Sequence, residues 1–398
     1  MTAKSLVLRV LFLMLIGGSY LFISPPCSGQ EAKGGETLDS SKTAGQAEES
    51  KTAQTKTPDE KKGKQASRGS ILGAPLPASN EAVGSGVVPV IGYIFPLSKK
   101  DKISPPSVIG FAGIITNNGT RGFAAGGQFF FKQNRYRFTA GVAHGNINYD
   151  IYGSGRLEGH KLPLKQSGTA FFGEFSRQIW WKFFLGPEFI SGDSLITLRP
   201  SEGSDVQIPP DLGLKTNLRA IGIRLTRDTS PNRFYPEAGT YLKFTSNFFS
   251  QGLGSKYSFQ SYRFAFNKYW SLKQNQVLAY NAYLCGTGGT PPFYGNCVYG
   301  TNNELRGYVA GQYFTRYMAA TQLEYRLVLP KRFGVVAFGG IGEVIPGEDQ
   351  VYGSQHFLPG GGVGLRFTLD KKHHVNLRAD FAQGKDDHTF SLGIGEAF

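Results

Sequence analysis

Charge is sparse in this chain: Asp, Glu, Lys and Arg make up 18% of 398 residues. Beyond the first 30 positions no apolar run approaches the ~20 residues that a membrane-spanning helix needs, which excludes a multi-helix membrane protein. No serine has glycine at both i−2 and i+2, so the nucleophile elbow is absent, and no phosphate loop occurs. The six histidines, His144, His160, His356, His373, His374 and His388, show no metal-ligand spacing, and the adjacent pair would face opposite ways on a strand. These absences predict a protein that is not an enzyme and has no cofactor or metal. A hydrolase built from a scattered Ser/His pair, whose members are not local in sequence, is the reading they leave over.

Cysteine is as scarce: Cys27 near the start, then only Cys285 and Cys297. The stretch CGTGGTPPFYGNC looks like exposed loop, which predicts one loop-closing Cys285–Cys297 disulfide in an oxidising compartment, free thiols being the alternative.

What is abundant is glycine (53), phenylalanine (31) and tyrosine (19), and 40% hydrophobic content excludes disorder of the whole chain. Residues 1–29 read as a secretory signal peptide: Lys4 and Arg9, an apolar stretch, then small residues at Ser28 and Gly29. A lipidated Cys27 competes with that reading, against the two prolines before it. Residues 30–86 are polar, with no aromatic residue from Glu31 to Glu81, and are expected to be a disordered periplasmic linker. Residues 31–86 carry eight basic and eight acidic side chains, so +12 of the net +14 falls in 87–398. Alternation would spread that excess around a lumen or its rims rather than one patch, which argues against nucleic-acid binding.

From Val87 onward apolar residues alternate with polar ones in segments of about ten residues, the period of strands with two unlike faces. In VNLRADFA the set Val375, Leu377, Ala379 and Phe381 is interleaved with Asn376, Arg378 and Asp380. Aromatics gather near strand ends, as at Trp180 and Trp181, Tyr269 and Trp270, and Phe248 and Phe249, as interfacial girdles require. Fifteen such segments fall between 87 and 398. Because single-chain bacterial barrels have even strand numbers, the expected fold is all-β, an antiparallel transmembrane β-barrel of about 16 strands with 14 as the lower count. Its outside should be apolar and its lumen polar.

The last segment, TFSLGIGEAF, puts Phe390, Leu392, Ile394 and Phe398 on one face, with Gly393 between them, and resembles the C-terminal sorting signal of outer-membrane barrels. Glu396 interrupts that pattern with a charge expected to face the lipid boundary. The stretch TRDTSPNRFYPEAGTYLKF, with Arg227, Asp228, Pro236 and Gly239, LRGY at Leu305, Arg306, Gly307 and Tyr308, and EYR at 324–326 together resemble the barrel of the BamA/TamA (bacterial surface antigen) family. The resemblance covers about 87–398. It implies a motif loop folded into the lumen, where Arg306 pairs with an acidic residue on the inner wall. The family's aspartate position is Gly340 here, which leaves Glu324 and Glu343 as candidate partners. The family also carries folded periplasmic domains before the barrel, whereas the polar stretch here is too poor in apolar residues to form one.

The resemblance implies a bacterial outer-membrane location, outer-membrane lipid around the barrel, and the barrel assembly machinery as a partner during biogenesis. It further implies assistance to an unfolded barrel or secreted client through a seam loosely closed between about Val87–Phe95 and Thr389–Phe398. The other expectation is a passive anion-favouring pore, or a structural barrel with a plugged lumen.

Overall fold

The computed structural model describes residues 69–398 apart from 81–83, 99, 102, 153–160, 200–212, 233, 301–303, 310–312, 346–356, 371–373 and 386–387. The signal peptide and all but the end of the linker expectation lie outside these residues. Eighteen strands follow in order: β1 Ser70–Asn80, β2 Gly84–Phe95, β3 Ser107–Thr116, β4 Arg121–Phe131, β5 Tyr136–Tyr152, β6 Lys161–Gln178, β7 Phe183–Leu198, β8 Leu214–Asp228 and β9 Gly239–Phe249. Then come β10 Phe259–Lys273, β11 Gln276–Gly289, β12 Cys297–Val298, β13 Phe314–Thr315, β14 Tyr317–Val328, β15 Phe333–Ile345, β16 Phe357–Asp370, β17 Val375–Gln383 and β18 His388–Ile394. Sixteen of them close into one barrel in which sequence neighbours pair antiparallel, and β12 and β13 form a small ribbon inside the long β11–β14 connection.

Period-two patterning sets which way each side chain points. In β14, Met318, Ala320, Gln322, Glu324 and Arg326 are buried inside, while Tyr317, Leu323 and Tyr325 are exposed outside. Connections at one rim, such as 132–135, 179–182 and 274–275, are short, and we call it the turn rim. The other, which bears the β11–β14 connection, is the loop rim.

The sequence pattern places the start of the barrel too late. The sixteenth strand is β1, inside the segment expected to be linker, and it pairs along its whole length with β2. Its ILGAPLPASN carries two prolines and no aromatic residue, so neither strand propensity nor alternation marks it. The closing seam therefore joins β1 to β18, not β2 to the last strand, and among the described residues it contains one ladder pair, Ser79 opposite Leu392.

Register explains why the ladder runs no further toward 75 and 77. Residues of an antiparallel strand alternately direct both main-chain polar groups to one neighbour and then to the other. Pro75 lies opposite Pro89, a pair that cannot exchange hydrogen bonds, so position 75, and with it 77 and 79, directs its main chain to β18. Two of the seam-facing nitrogens of β1 therefore have no hydrogen to donate. On the other side, β18 ends at Ile394, and Gly395 in the left-handed region (φ 84°) turns the chain away.

The lumen also departs from expectation. The inner faces of β2 to β10 share an apolar cluster that includes Val88, Ile114, Ile147, Phe172 and Ile190 and is buried throughout. Of the aromatics read as a girdle, Tyr269 and Phe249 point inward, the latter stacked on Phe259 at 4.2 Å, whereas Trp180, Trp181, Phe248 and Trp270 are exposed. Buried polar groups accompany the apolar cluster, as where Arg224 of β8 meets Glu174 of β6 and Glu188 of β7, and the largest charge cluster lies on β14 to β17.

Replacing Pro77→Val restores a donor to β1 opposite Ile394, the last residue of β18. At ~1 kcal/mol per added hydrogen bond, the melting temperature in lipid should rise by a few degrees. An unchanged or lower value contradicts the seam assignment.

Candidate functional site

Alternation along TQLEYRLVL sends Gln322, Glu324 and Arg326 of β14 to one inner stripe, and β16 and β17 add Arg366, Arg378 and Asp380 beside it. Onto this wall folds the β11–β14 connection. Its base is held by the Cys285–Cys297 disulfide and by Thr287 Oγ1 donating to Asn296 Oδ1 at 3.2 Å. Tyr294 is buried in the apolar cluster of β2 to β10, so the connection touches both sides of the lumen.

Arg306 is the centre of the contact. Its Nη2 meets Glu324 Oε2 at 2.5 Å, its Nη1 meets Asp380 Oδ2 at 2.9 Å, and its Nε donates to Gln322 Oε1 at 3.2 Å. The guanidinium carbon lies 3.3 Å from the centre of the Phe338 ring, a cation–π stack in a dry setting. Leu305 is buried against β15 and β16, and Tyr308 donates its hydroxyl to Pro359 O at 2.5 Å while accepting from Lys385 N at 3.2 Å. Gly307 packs against the backbone of Gln383 and Gly384.

Glu324 is thus the partner of Arg306, as one of the two candidates, and its side chain is fully buried. Glu343 is not: it shares the outward parity of Ile341 and Ile345 and is exposed. The second carboxylate is Asp380, which the motif reading passed over although it sits on the polar face of VNLRADFA. Gly340 explains why no acid stands at the family's position. A side chain there would run into Thr321 O and come within 2.9 Å of Leu305 Cδ1, so the loop's own leucine occupies that space.

The network continues toward the turn rim. Arg366 contacts Asp380 at 2.5 Å and Glu396 at 2.7 Å, and Arg326 contacts Glu324 at 2.6 Å. Asn376 Nδ2 donates to Glu396 Oε1 at 2.8 Å, and Arg378, opposite Gly393 of β18, lies 3.6 Å from Asp380. Glu396 therefore faces inward, with 1% of its side chain exposed, and not the lipid boundary, because the turn at Gly395 breaks the alternation after β18. The same turn takes Phe398 off the face it was expected to share. Phe390 is exposed outside, whereas the Phe398 ring centre lies 5.7 Å from the Arg326 guanidinium, whose Nη2 donates to Phe398 O at 2.8 Å. Leu392, at the seam, is half-buried.

The remaining motif positions build the floor beneath this cluster. Pro236 O accepts from Arg326 Nη1 at 3.3 Å, and Tyr235 packs edge-on to His374 at 5.7 Å. Asp228 Oδ1 accepts from Ser230 N and Oγ, Gly239 fits against the backbone of Thr229, and Arg227 donates to Trp181 O and Thr240 Oγ1. These four residues shape the β8–β9 turn, and the Pro236 carbonyl ties that turn to Arg326 of the charge network.

Four guanidinium groups and three carboxylates in one dry volume hold the loop where a solvated pair could not. Desolvation is offset only while every partner is present, and removing one leaves a buried charge uncompensated at about 3–5 kcal/mol. The cluster has no nucleophile–base pair, and no group of three or more metal-type ligands occurs among the described residues. Its chemistry is that of a lock.

An Omp85 superfamily domain matches residues 194–398, a little over half of the chain. Among solved structures, BamA from Haemophilus ducreyi lacking POTRA domains 1–3 is similar over 83% of this chain and 70% of its own, with 14% identity and a TM-score of 0.55. CdiB from Escherichia coli is similar over 81% of this chain at 12% identity and a TM-score of 0.57. CdiB from Acinetobacter baumannii is similar over 81% at 14% identity and 0.54. The chain spans 61% and 59% of those two proteins. No curated protein matches.

Arg306→Ala should cost about 3–5 kcal/mol in urea unfolding from lipid vesicles, whereas Glu343→Gln should stay within about 0.5 kcal/mol of the parent. Equal effects of the two substitutions would remove the loop lock from the account.

Proposed function

The chain belongs to the Omp85 superfamily, and from that premise we propose that it is an outer-membrane barrel that assists the insertion of unfolded barrel chains into that membrane or the passage of proteins across it. The observation that carries this reading is the seam: among the described residues it holds one ladder pair, Ser79 opposite Leu392, where the other joints of the wall hold seven or more.

Opening such a seam breaks few hydrogen bonds, and the freed edges are unpaired strands of the kind that template an incoming one by β-augmentation. The register makes the two edges unequal. Along β18, positions 388, 390, 392 and 394 direct both donor and acceptor to the seam, whereas β1 offers acceptors without donors at Pro75 and Pro77. A client strand therefore finds its fuller set of partners on β18. Meanwhile the Arg306 lock holds β14 to β17 as one rigid wall, so motion concentrates at the seam. The work is non-enzymatic: binding energy from strand pairing replaces bond chemistry. The client is an unfolded barrel or a secreted protein, and the barrel assembly machinery is a partner during the chain's own biogenesis. The passive-pore reading has less to rest on, because the inner faces of β2 to β10 carry a buried apolar cluster and the β11–β14 connection folds onto the opposite wall.

Reconstituted with an unfolded barrel client, the protein should speed the client's folding severalfold. A Ser79→Cys, Leu392→Cys disulfide across the seam should abolish the acceleration, and reductant should restore it. Acceleration that survives the crosslink rejects the seam as the working part.

A further inference from the structure

The excess positive charge of the barrel is not spread evenly. By sequence, the seven connections at the turn rim carry eleven Lys/Arg and two Asp/Glu, while the eight at the loop rim carry six and ten. Short turns mark the periplasmic side of such barrels, so the basic rim faces the phospholipid leaflet. Lys100, Lys132, Arg135, Lys182, Lys331 and Arg332 are exposed there, and none forms an ion pair among the described residues. Asp101, the acid nearest to Lys100 in sequence, is engaged elsewhere: its carboxylate accepts from Ile103 N, Ser104 N, Ser104 Oγ and Gln133 N at 2.7–3.0 Å.

All three tryptophans of the chain stand at the same rim, Trp180 and Trp181 in the β6–β7 turn and Trp270 near the end of β10, exposed by 63%, 79% and 41%. Lys132 lies 5.7 Å over the Tyr136 ring and Lys268 5.8 Å over that of Trp270, so cations and interfacial aromatics form one layer. The layer is circumferential. The β2–β3, β4–β5 and β6–β7 turns lie on one side of the ring and the β14–β15 turn lies across it. A docked protein would select one sector, whereas lipid meets every sector at once.

We propose that this rim is a binding surface for anionic phospholipid headgroups, a ring of cations that concentrates phosphatidylglycerol-type lipid around the periplasmic end of the barrel. Aromatic rings fix the height of the layer at the headgroups, and the lysines and arginines supply the charge that selects anionic over zwitterionic lipid. This rests on the barrel and its orientation and is independent of client insertion.

The test is native mass spectrometry of the full chain released from nanodiscs of about four parts phosphatidylethanolamine to one part phosphatidylglycerol, where retained lipid should be enriched in the anionic species roughly fivefold over the bulk. The combined variant Lys132→Gln, Arg135→Gln, Lys182→Gln, Lys331→Gln, Arg332→Gln, confirmed as folded by heat-modifiable gel migration, should lose that enrichment. Lys215→Gln with Lys256→Gln at the loop rim should keep it. Inorganic phosphate should displace no more lipid than chloride at equal ionic strength. Absence of enrichment in the parent, as an acidic protein partner at this rim would give, overturns the proposal. So does enrichment that persists in the combined variant, or displacement specific to phosphate.

Discussion

Every main-chain N–H and C=O that enters hydrocarbon must find its partner within the protein, and a closed sheet is the only strand arrangement that supplies them all. The barrel depends on that constraint, and its most informative feature is the one place where the constraint is relaxed. Among the described residues the joint of β1 and β18 holds one ladder pair, Ser79 and Leu392, and toward the turn rim Pro75 and Pro77 withhold donors from one edge while Gly395 turns the other edge away. The other fifteen joints run for seven or more pairs each among the described residues. A loose joint in a stiff wall localises opening without weakening the whole.

The stiffness has its own source. Arg306 reaches from the β11–β14 connection to carboxylates on β14 and β17, and through Asp380 and Arg366 the contact extends to Glu396 just beyond β18. Charges so buried contribute little net stability over an apolar filling, but they tolerate only one arrangement of the loop and the strands around it. Tyr294 fixes the other end of the loop in the apolar half of the lumen. The connection therefore works as a brace across the barrel as well as a plug.

Much of this could be read from residue order. Fifteen of the sixteen wall strands show alternation strong enough to place them, LRGY marks Arg306, and Glu324 of EYR stands as one of two candidate partners beside Glu343. Three things could not be read so directly. β1 is hidden because a seam strand with two prolines looks like linker, the very property that loosens the seam. Extending the period of β18 puts Glu396 and Phe398 outward, but Gly395 ends that period. Asp380 was visible only as one polar position among several, since nothing local says which one a loop 74 residues away will meet. Alternation reports the face of a side chain, and long-range pairing within that face is a matter of tertiary register.

The central claim is that the wall is tightly paired everywhere except between β1 and β18. Amide hydrogen exchange in lipid nanodiscs, read peptide by peptide, tests it most directly. Peptides spanning 317–328 and 333–345 should stay protected for hours, while 70–77 and 390–394 exchange within minutes on their seam-facing amides. Protection at the seam equal to that of β14 and β15 would contradict the account.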